Sequence, residues 1–209
     1  MSKYSFPDNL SGRHIILASG SPRRKELLSR LGIPFDVARL DEVDESFAPE
    51  TPAMEVAPML ARRKAEHYRQ THMRSDEVVI TADTVVIVDN TVLGKPADEN
   101  EARRMLEMLS GRTHHVVTGV DVEWTDGSLC RSAITEVTFA PLEGHEIEHY
   151  IRQYKPMDKA GAYGIQEWIG CIAISRIEGS FYNVMGLPLH LLYTMLCNIP
   201  PIHCGIIIE

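Results

Sequence analysis

A short apolar run, Ile15 to Ala18, breaks at Ser19-Gly20-Ser21 and passes at once into Pro22-Arg23-Arg24-Lys25-Glu26-Leu27-Leu28. Such a run, bounded by a turn and followed by apolar residues at helical spacing, reads as a buried strand feeding a helix. Ser21 has the side chain of an N-cap, and Pro22 suits the first helical position, where its missing N–H goes unused. Leu27, Leu28 and Leu31 supply an apolar helix face, and Gly32 is placed to end it. The strand therefore aims the positive end of a helix, with Arg23 and Arg24, at one point in space. That geometry suits an anion such as phosphate. The same arginines also fit a solvated first turn, and spacing leaves both readings open.

Composition narrows the context. With 209 residues, 44% hydrophobic and 24% charged, the chain suits one soluble domain with a full core, residues 1–209. A net charge of −8 argues against nucleic acid or an anionic membrane as partner, so the basic cluster at Arg23-Arg24-Lys25 is a local feature. No segment approaches the roughly 18 apolar residues of a membrane span, and Met1 to Arg13 lacks the apolar centre of a signal peptide. Cys130, Cys171, Cys197 and Cys204 are scattered, as expected for free thiols in a cytoplasmic protein.

Strand and helix patterns alternate along the chain. A second strand is expected over Ile33 to Arg39, followed by an acidic loop with Asp41, Glu42, Asp44 and Glu45. A helix is expected from about Met54 to Arg69, carrying Arg62, Arg63 and Lys64. A β-rich run from Glu77 to Ala82 reaches Asp83-Thr84, then resumes at Val85 to Val88 and turns back through Asp89-Asn90. Further helices are expected at Glu99 to Leu109, Glu143 to Gln153 and Pro188 to Leu196. Further strands are expected at His115 to Trp124, Leu129 to Phe139 and Cys171 to Ile177, the first two joined by Thr125-Asp126-Gly127-Ser128. Hairpins among alternating elements exclude a purely parallel sheet, so the fold class is mixed α/β.

Two segments could carry chemistry. Asp83 interrupts a run otherwise suited to burial, where a carboxylate needs a cation, a metal or strong donors. The alternative is that it caps a bend where the strand emerges. Asp158-Lys159-Ala160-Gly161-Ala162-Tyr163-Gly164-Ile165-Gln166 lets backbone approach a ligand closely, and Gln166 offers both a donor and an acceptor to a nucleobase edge. A merely tight loop has the same composition. Gly94-Lys95-Pro96 is no P-loop, because the surrounding glycine pattern is missing. His114 and His115 point to opposite faces of a strand and share no ligand.

Taken together these blocks resemble the Maf family of nucleoside triphosphate pyrophosphatases, from Ile16 to about Leu196. The resemblance rests on Leu17-Ala18-Ser19-x-Ser21-Pro22-Arg23-Arg24-x-Glu26-Leu27-Leu28, Ala61-Arg62-Arg63-Lys64-Ala65 and Ala82-Asp83-Thr84-Val85-Val86. It extends through Leu93-Gly94-Lys95-Pro96, Leu109-Ser110-Gly111-Arg112, Asp158 to Gln166, and Gly179-Ser180-x-Tyr182-Asn183-Val184-x-Gly186-Leu187-Pro188. The family-matching core is 12–198, with an apolar tail at 199–209 outside the pattern.

The resemblance implies a mixed sheet with β-hairpins and two lobes around a central cleft, similar to inosine triphosphate pyrophosphatases. It implies cleavage of a nucleoside triphosphate between the α- and β-phosphates, with Mg²⁺ or Mn²⁺ as cofactor. Asp158 to Gln166 resembles the branch acting on dTTP and UTP. By that match Asp83 corresponds to the proton acceptor, and Arg23, Thr84 and Gln166 to residues of substrate selectivity. Ser19, Arg24, Glu45, Lys64 and Lys95 match other active-site positions, with Asp83 and Glu45 as the metal-holding pair. Two departures stand out: Lys155 replaces an acidic residue common in relatives, and Glu167-Trp168-Ile169-Gly170 follows Gln166 where relatives have Gly directly. The sequence admits a homodimer. An alternative of another class is a nucleotide-binding regulatory module linked to cell division that does not turn over.

Overall fold

The computed structural model describes residues 7–41 and 43–201. Among them β1 (His14–Ala18) leads through Ser19-Gly20-Ser21 into α1 (Pro22–Ser29), as the opening segment predicts. The Ser21 hydroxyl accepts from the Arg24 N–H at 3.4 Å, which makes it the N-cap. Arg30 and Leu31 tighten the last turn, and Gly32, at φ +69°, reverses the chain. β2 (Asp36–Ala38) is shorter than expected. Next come α2 (Ala53–Thr71), β3 (Glu77–Val88), β4 (Thr91–Leu93), α3 (Glu99–Leu109), β5 (Thr113–Trp124), β6 (Gly127–Phe139) and α4 (Gly144–Tyr154). Two 3₁₀ turns, Pro156–Asp158 and Ala160–Ala162, precede α5 (Trp168–Ala173), β7 (Ile174–Glu178), α6 (Phe181–Val184) and α7 (Leu189–Cys197).

The seven strands form one mixed sheet in the order β2-β1-β3-β5-β6-β7, with β4 also on β3. β2, β1 and β3 run parallel, and the remaining pairings are antiparallel. Asp89 and Asn90 both take positive φ, the signature of a type I′ turn, and so close the β3–β4 hairpin. The β5–β6 hairpin is tighter than expected, because Trp124 pairs directly with Gly127 across Thr125-Asp126.

Two sequence expectations need correction. β3 does not break at Asp83-Thr84: it stays in register with β5 from Val78 to Ile87, so the neighbouring strand carries the polar pair through. The strand expected at Cys171 to Ile177 is the end of a short helix followed by β7. A six-residue apolar run cannot by periodicity alone distinguish the two.

The sheet buries both faces. On one, Val56, Ala57 and Leu60 of α2 pack against Val85, Ile87 and Val117. On the other, β3 and β5 meet Leu106 of α3, Tyr150 of α4, and Leu192 and Leu196 of α7. α2 lies so close to β5 that a Cβ at Gly119 would overlap the backbone of Ala57 and Pro58. His114 is a core residue. It bonds the Tyr163 hydroxyl at 2.8 Å, and burial, reinforced by His115, pushes its pKa down to about 4, so the ring is neutral. His115 faces Glu136 instead. Of the apolar tail, Ile199 is buried and the Pro200 carbonyl accepts from Arg13 at 2.7 Å, whereas 202–209 lie outside the described residues.

Candidate active site

The register of β3 explains where the cavity opens. β1 pairs with β3 only as far as Leu17 opposite Ile80, and β4 rejoins that edge at Val86. Between them the β1-facing edge of β3 is bare, and a cavity of about 1220 Å³ opens there. It lies beyond the carboxyl end of a parallel strand and at the N-terminus of the following helix, where open α/β sheets bind ligands. Because side chains alternate along a strand, Asp83 faces α2 while Thr84 faces the opposite side, and the gap lets both reach the cavity.

Ser19, Arg23, Arg24, Glu45, Lys64, Asp83, Thr84, Lys95 and Gln166 all line this one space. They come from six separated chain segments. At the β1–α1 junction the Ser19 hydroxyl accepts from the Ser21 N–H at 3.2 Å, and nothing lies within 4 Å of a Cβ placed on Gly20. The loop is therefore open on its cavity side. Arg24 is half-buried: its Nε donates to the Gly186 carbonyl at 2.9 Å and its Nη2 to the Thr84 hydroxyl at 3.2 Å. Burial pulls its pKa down, with Arg23 adding to that and Asp83 and Glu45 opposing it. Thr84 also meets Thr118 at 3.0 Å, which fixes its rotamer.

Lys64 stands between two carboxylates, 2.7 Å from Glu45 and 2.5 Å from Asp83. Asp83 is thus paired with a cation, and the reading of it as the cap of a bend is excluded. Burial opposes ionisation of Glu45, yet the hydrogen bond and charge of Lys64, with Lys95 and Arg24, hold its carboxyl below the ordinary range. The acidic loop is stapled to α2 by a second residue as well. Arg63 donates to the carbonyls of Asp44 at 2.6 Å and Ser46 at 2.7 Å. Glu42, the remaining acidic candidate of that loop, lies outside the described residues.

The opposite wall is the segment from Asp158 to Gln166. Arg23 crosses to it, donating to the Asp158 carboxylate at 2.6 Å and its carbonyl at 3.3 Å. Lys159, almost wholly buried, meets Asp158 at 2.8 Å and Glu167 at 3.0 Å. Gly161, at φ +66°, lies against Val86, so the loop packs onto β3 with no room for a side chain. Gln166 is exposed toward the cavity while Ile165 beside it is buried.

Sequence reasoning missed the roles of Asp158, Lys159 and Glu167. The only signal was a charged pair, Asp158-Lys159, opening a run of small residues. Their partners lie up to 135 residues away, which no local pattern shows.

Asp83 and Glu45 supply carboxylate oxygens, the donor type a hard divalent cation takes, and the Lys64 ammonium lies between them. Two carboxylates converge at Lys64, and among the described residues no group of three or more His, Cys, Asp or Glu side chains could hold a metal. A cation here would complete its shell from phosphate and water oxygens, the usual pattern for Mg²⁺.

Comparison with known proteins agrees with this geometry. The chain is 54% identical over 189 residues to a dTTP/UTP pyrophosphatase of Phocaeicola vulgatus, covering 90% of this chain and 97% of that one. It is 55% identical to a dTTP/UTP pyrophosphatase of Porphyromonas gingivalis, covering 90% and 96%, and 49% identical to that of Bacteroides thetaiotaomicron, covering 88% and 95%. The fold is shared with the Staphylococcus aureus Ham1 protein at a TM-score of 0.53 and 14% identity, over 88% of this chain and 98% of that one. Residues 14–199 match the model of the family described as Maf-like protein, and the chain belongs to that family.

Proposed function

We propose that the protein hydrolyses dTTP and UTP between the α- and β-phosphates, releasing the nucleoside monophosphate and pyrophosphate. The observation that carries this reading is the Asp83–Lys64–Glu45 cluster, which shares one cavity with the α1 N-terminus and Gln166. The names of the relatives supply the substrate class, and the geometry supplies a role for each wall.

A triphosphate brings about four negative charges, so catalysis is mainly positioning and charge neutralisation. Arg23 and Arg24 offer planar forks, and the Ser19–Ser21 loop offers backbone N–H groups and a helix N-terminus. Lys64 and Lys95 add point charges. Asp83 and Glu45 would hold Mg²⁺ or Mn²⁺, which supplies further charge neutralisation and lowers the pKa of a bound water. Asp83 holds the attacking water and takes its proton, a role its near-burial and fixed partner Lys64 support. The water oxygen bonds to the α-phosphorus, the bond to the bridging oxygen breaks, and pyrophosphate leaves. Gln166 and Thr84 face the nucleoside and select it. A cytoplasmic location belongs to the same proposal, supported by free Cys130, Cys171 and Cys197.

The test is a panel of nucleoside triphosphates with Mg²⁺ or Mn²⁺, following products by ion-exchange chromatography. UMP and dTMP with stoichiometric pyrophosphate are expected. Binding without turnover would favour the regulatory alternative, and release of orthophosphate with a diphosphate would place the cleaved bond elsewhere.

A further inference from the structure

Gln166 sits in a turn pinned by Gly164 and Lys159, which line the cavity, and by Tyr150 and Glu167, which stand behind it. The Glu167 N–H donates to the Gly164 carbonyl at 3.0 Å, which closes the turn around Ile165 and Gln166. The Glu167 carboxylate then folds back over it. A Cβ on Gly164 would stand 2.9 Å from that carboxylate and 3.1 Å from Lys159 Cε, so only glycine fits beneath them. One Glu167 oxygen is 3.0 Å from Lys159 Nζ, and the other accepts from the Tyr150 hydroxyl. The Tyr150 oxygen in turn accepts the Gly164 N–H at 3.0 Å. Burial, then the Glu167 carboxylate, raises the Tyr150 pKa, so this hydroxyl remains a donor.

The parts are buried and rigid. Tyr150 is among the largest fully buried side chains, and the Lys159 and Glu167 side chains are 9% and 19% exposed. Glu167 also begins α5, where the Gly170 N–H reaches its carbonyl at 2.9 Å. The turn that carries Gln166 is thus tied at Gly164 and at Glu167. A buried, fully satisfied polar network specifies one conformation more strongly than apolar packing does.

We propose that Glu167, held by Lys159 and Tyr150, is a positioning residue that sets the direction from which Gln166 meets the base, and so governs discrimination among pyrimidine triphosphates. The proposal rests on reading the cavity as a triphosphate site. It assigns a function to Glu167, the first residue of the Glu167-Trp168-Ile169-Gly170 stretch that follows Gln166 in this chain.

The experiment compares the wild-type chain with Glu167→Gln, Tyr150→Phe, Gln166→Ala and the Gln166→Ala/Glu167→Gln double variant. Each is assayed for kcat and KM on UTP, dTTP and CTP, and for Kd of the non-hydrolysable α,β-methylene analogues of UTP and CTP. Glu167→Gln and Tyr150→Phe are each expected to lower the UTP-over-CTP ratio of kcat/KM by about tenfold, the scale of a small misplacement of a recognising group. The loss should lie in KM, with kcat on UTP changed by less than about threefold. The double variant should discriminate no worse than Gln166→Ala alone, because Glu167 acts only through Gln166.

Wild-type ratios in both folded single variants would overturn the proposal. So would equal losses on all three triphosphates, or additive losses in the double variant. Should only one single variant fold, that variant decides. A wild-type chain that binds the analogues without hydrolysing triphosphates refutes the pyrophosphatase reading alone, and the Kd ratios still decide the role of Glu167. A wild-type chain that shows no preference between UTP and CTP in either Kd or kcat/KM overturns the role of Glu167 and leaves the pyrophosphatase reading standing.

Discussion

Asp121 carries a charge problem whose size can be worked out. It lies on β5 with 1% exposure, and its Oδ1 has no hydrogen-bond partner. Burial pushes its pKa from the ordinary 3.8 up to about 6. The Cys130 thiol and Arg62 oppose that rise, and Glu123 and Glu66 reinforce it. The unfolded chain therefore releases this proton near pH 4, whereas the folded chain keeps it until about pH 6. Asp121 favours the folded state fully below pH 4, and that contribution is lost as pH rises through 6. A shift of about two units corresponds to about 3 kcal/mol. Asp121→Asn removes the titration, so its stability relative to the wild type should rise by about 3 kcal/mol between pH 4 and pH 8. Urea unfolding followed by circular dichroism at both pH values, on both proteins, measures this. Any constant cost of exchanging hydroxyl for amide cancels in the comparison. Glu123 titrates in both proteins and cancels to first order. A difference that stays constant within about 0.5 kcal/mol, or one that shrinks toward pH 8, would refute the reasoning.

Three further outcomes are expected. Asp83→Asn should lower kcat on UTP by roughly 10²–10⁴-fold, the usual worth of a positioned base, in a chain that keeps its fold by circular dichroism; near-wild-type turnover would exclude Asp83 as the base. Gln166→Ala should flatten the ranking of UTP, dTTP and CTP in kcat/KM, and an unchanged ranking would remove Gln166 as the base reader. Gly119→Ala should destabilise by about 3 kcal/mol through overpacking against α2, lowering Tm by roughly 6–12 °C in a scanning calorimeter. A smaller shift would mean that α2 can move away from β5.

The sequence made the site's parts legible because each sits beside a local signal. Ser21 and Pro22 announce a helix start, and Asp83 announces itself by polarity within an apolar strand. The sequence admits both interpretations of Asp83; the Lys64 ammonium 2.5 Å away decides between them, and that pairing depends on α2 crossing β3. The continuity of β3 through Asp83-Thr84 was hidden for a related reason. It comes from ten register pairs with β5, not from the residues of β3. Likewise Cys171 to Ala173, the end of α5, reads as strand because it runs on into the apolar residues of β7. The helical start of α5 is set by Glu167, whose carboxylate is tied to Lys159 and Tyr150. Long-range ion pairs leave no periodic trace.

The burial of those pairs also divides the work within the cleft. Arg23 and Asp158 pair at 2.6 Å, but Asp158 is 60% exposed, and an ion pair in such solvent contact is worth at most about 1 kcal/mol. A phosphate can take Arg23 from it at little cost, and Asp158 keeps Lys159 at 2.8 Å as partner. Lys64 and Asp83 are 12% and 13% exposed, and separating them would leave a nearly buried charge unpaired, which is far more expensive. The proposed site thus has an exchangeable cation at the helix N-terminus and a fixed one beside the base. Triphosphate capture should proceed at Arg23 without disturbing the Asp83–Lys64 geometry. The same argument holds at the nucleoside end, where Lys159 stays with Glu167 whichever partner Arg23 has. In the proposed mechanism Gln166 thus meets the base from a turn whose Lys159–Glu167 pair does not depend on the partner of Arg23.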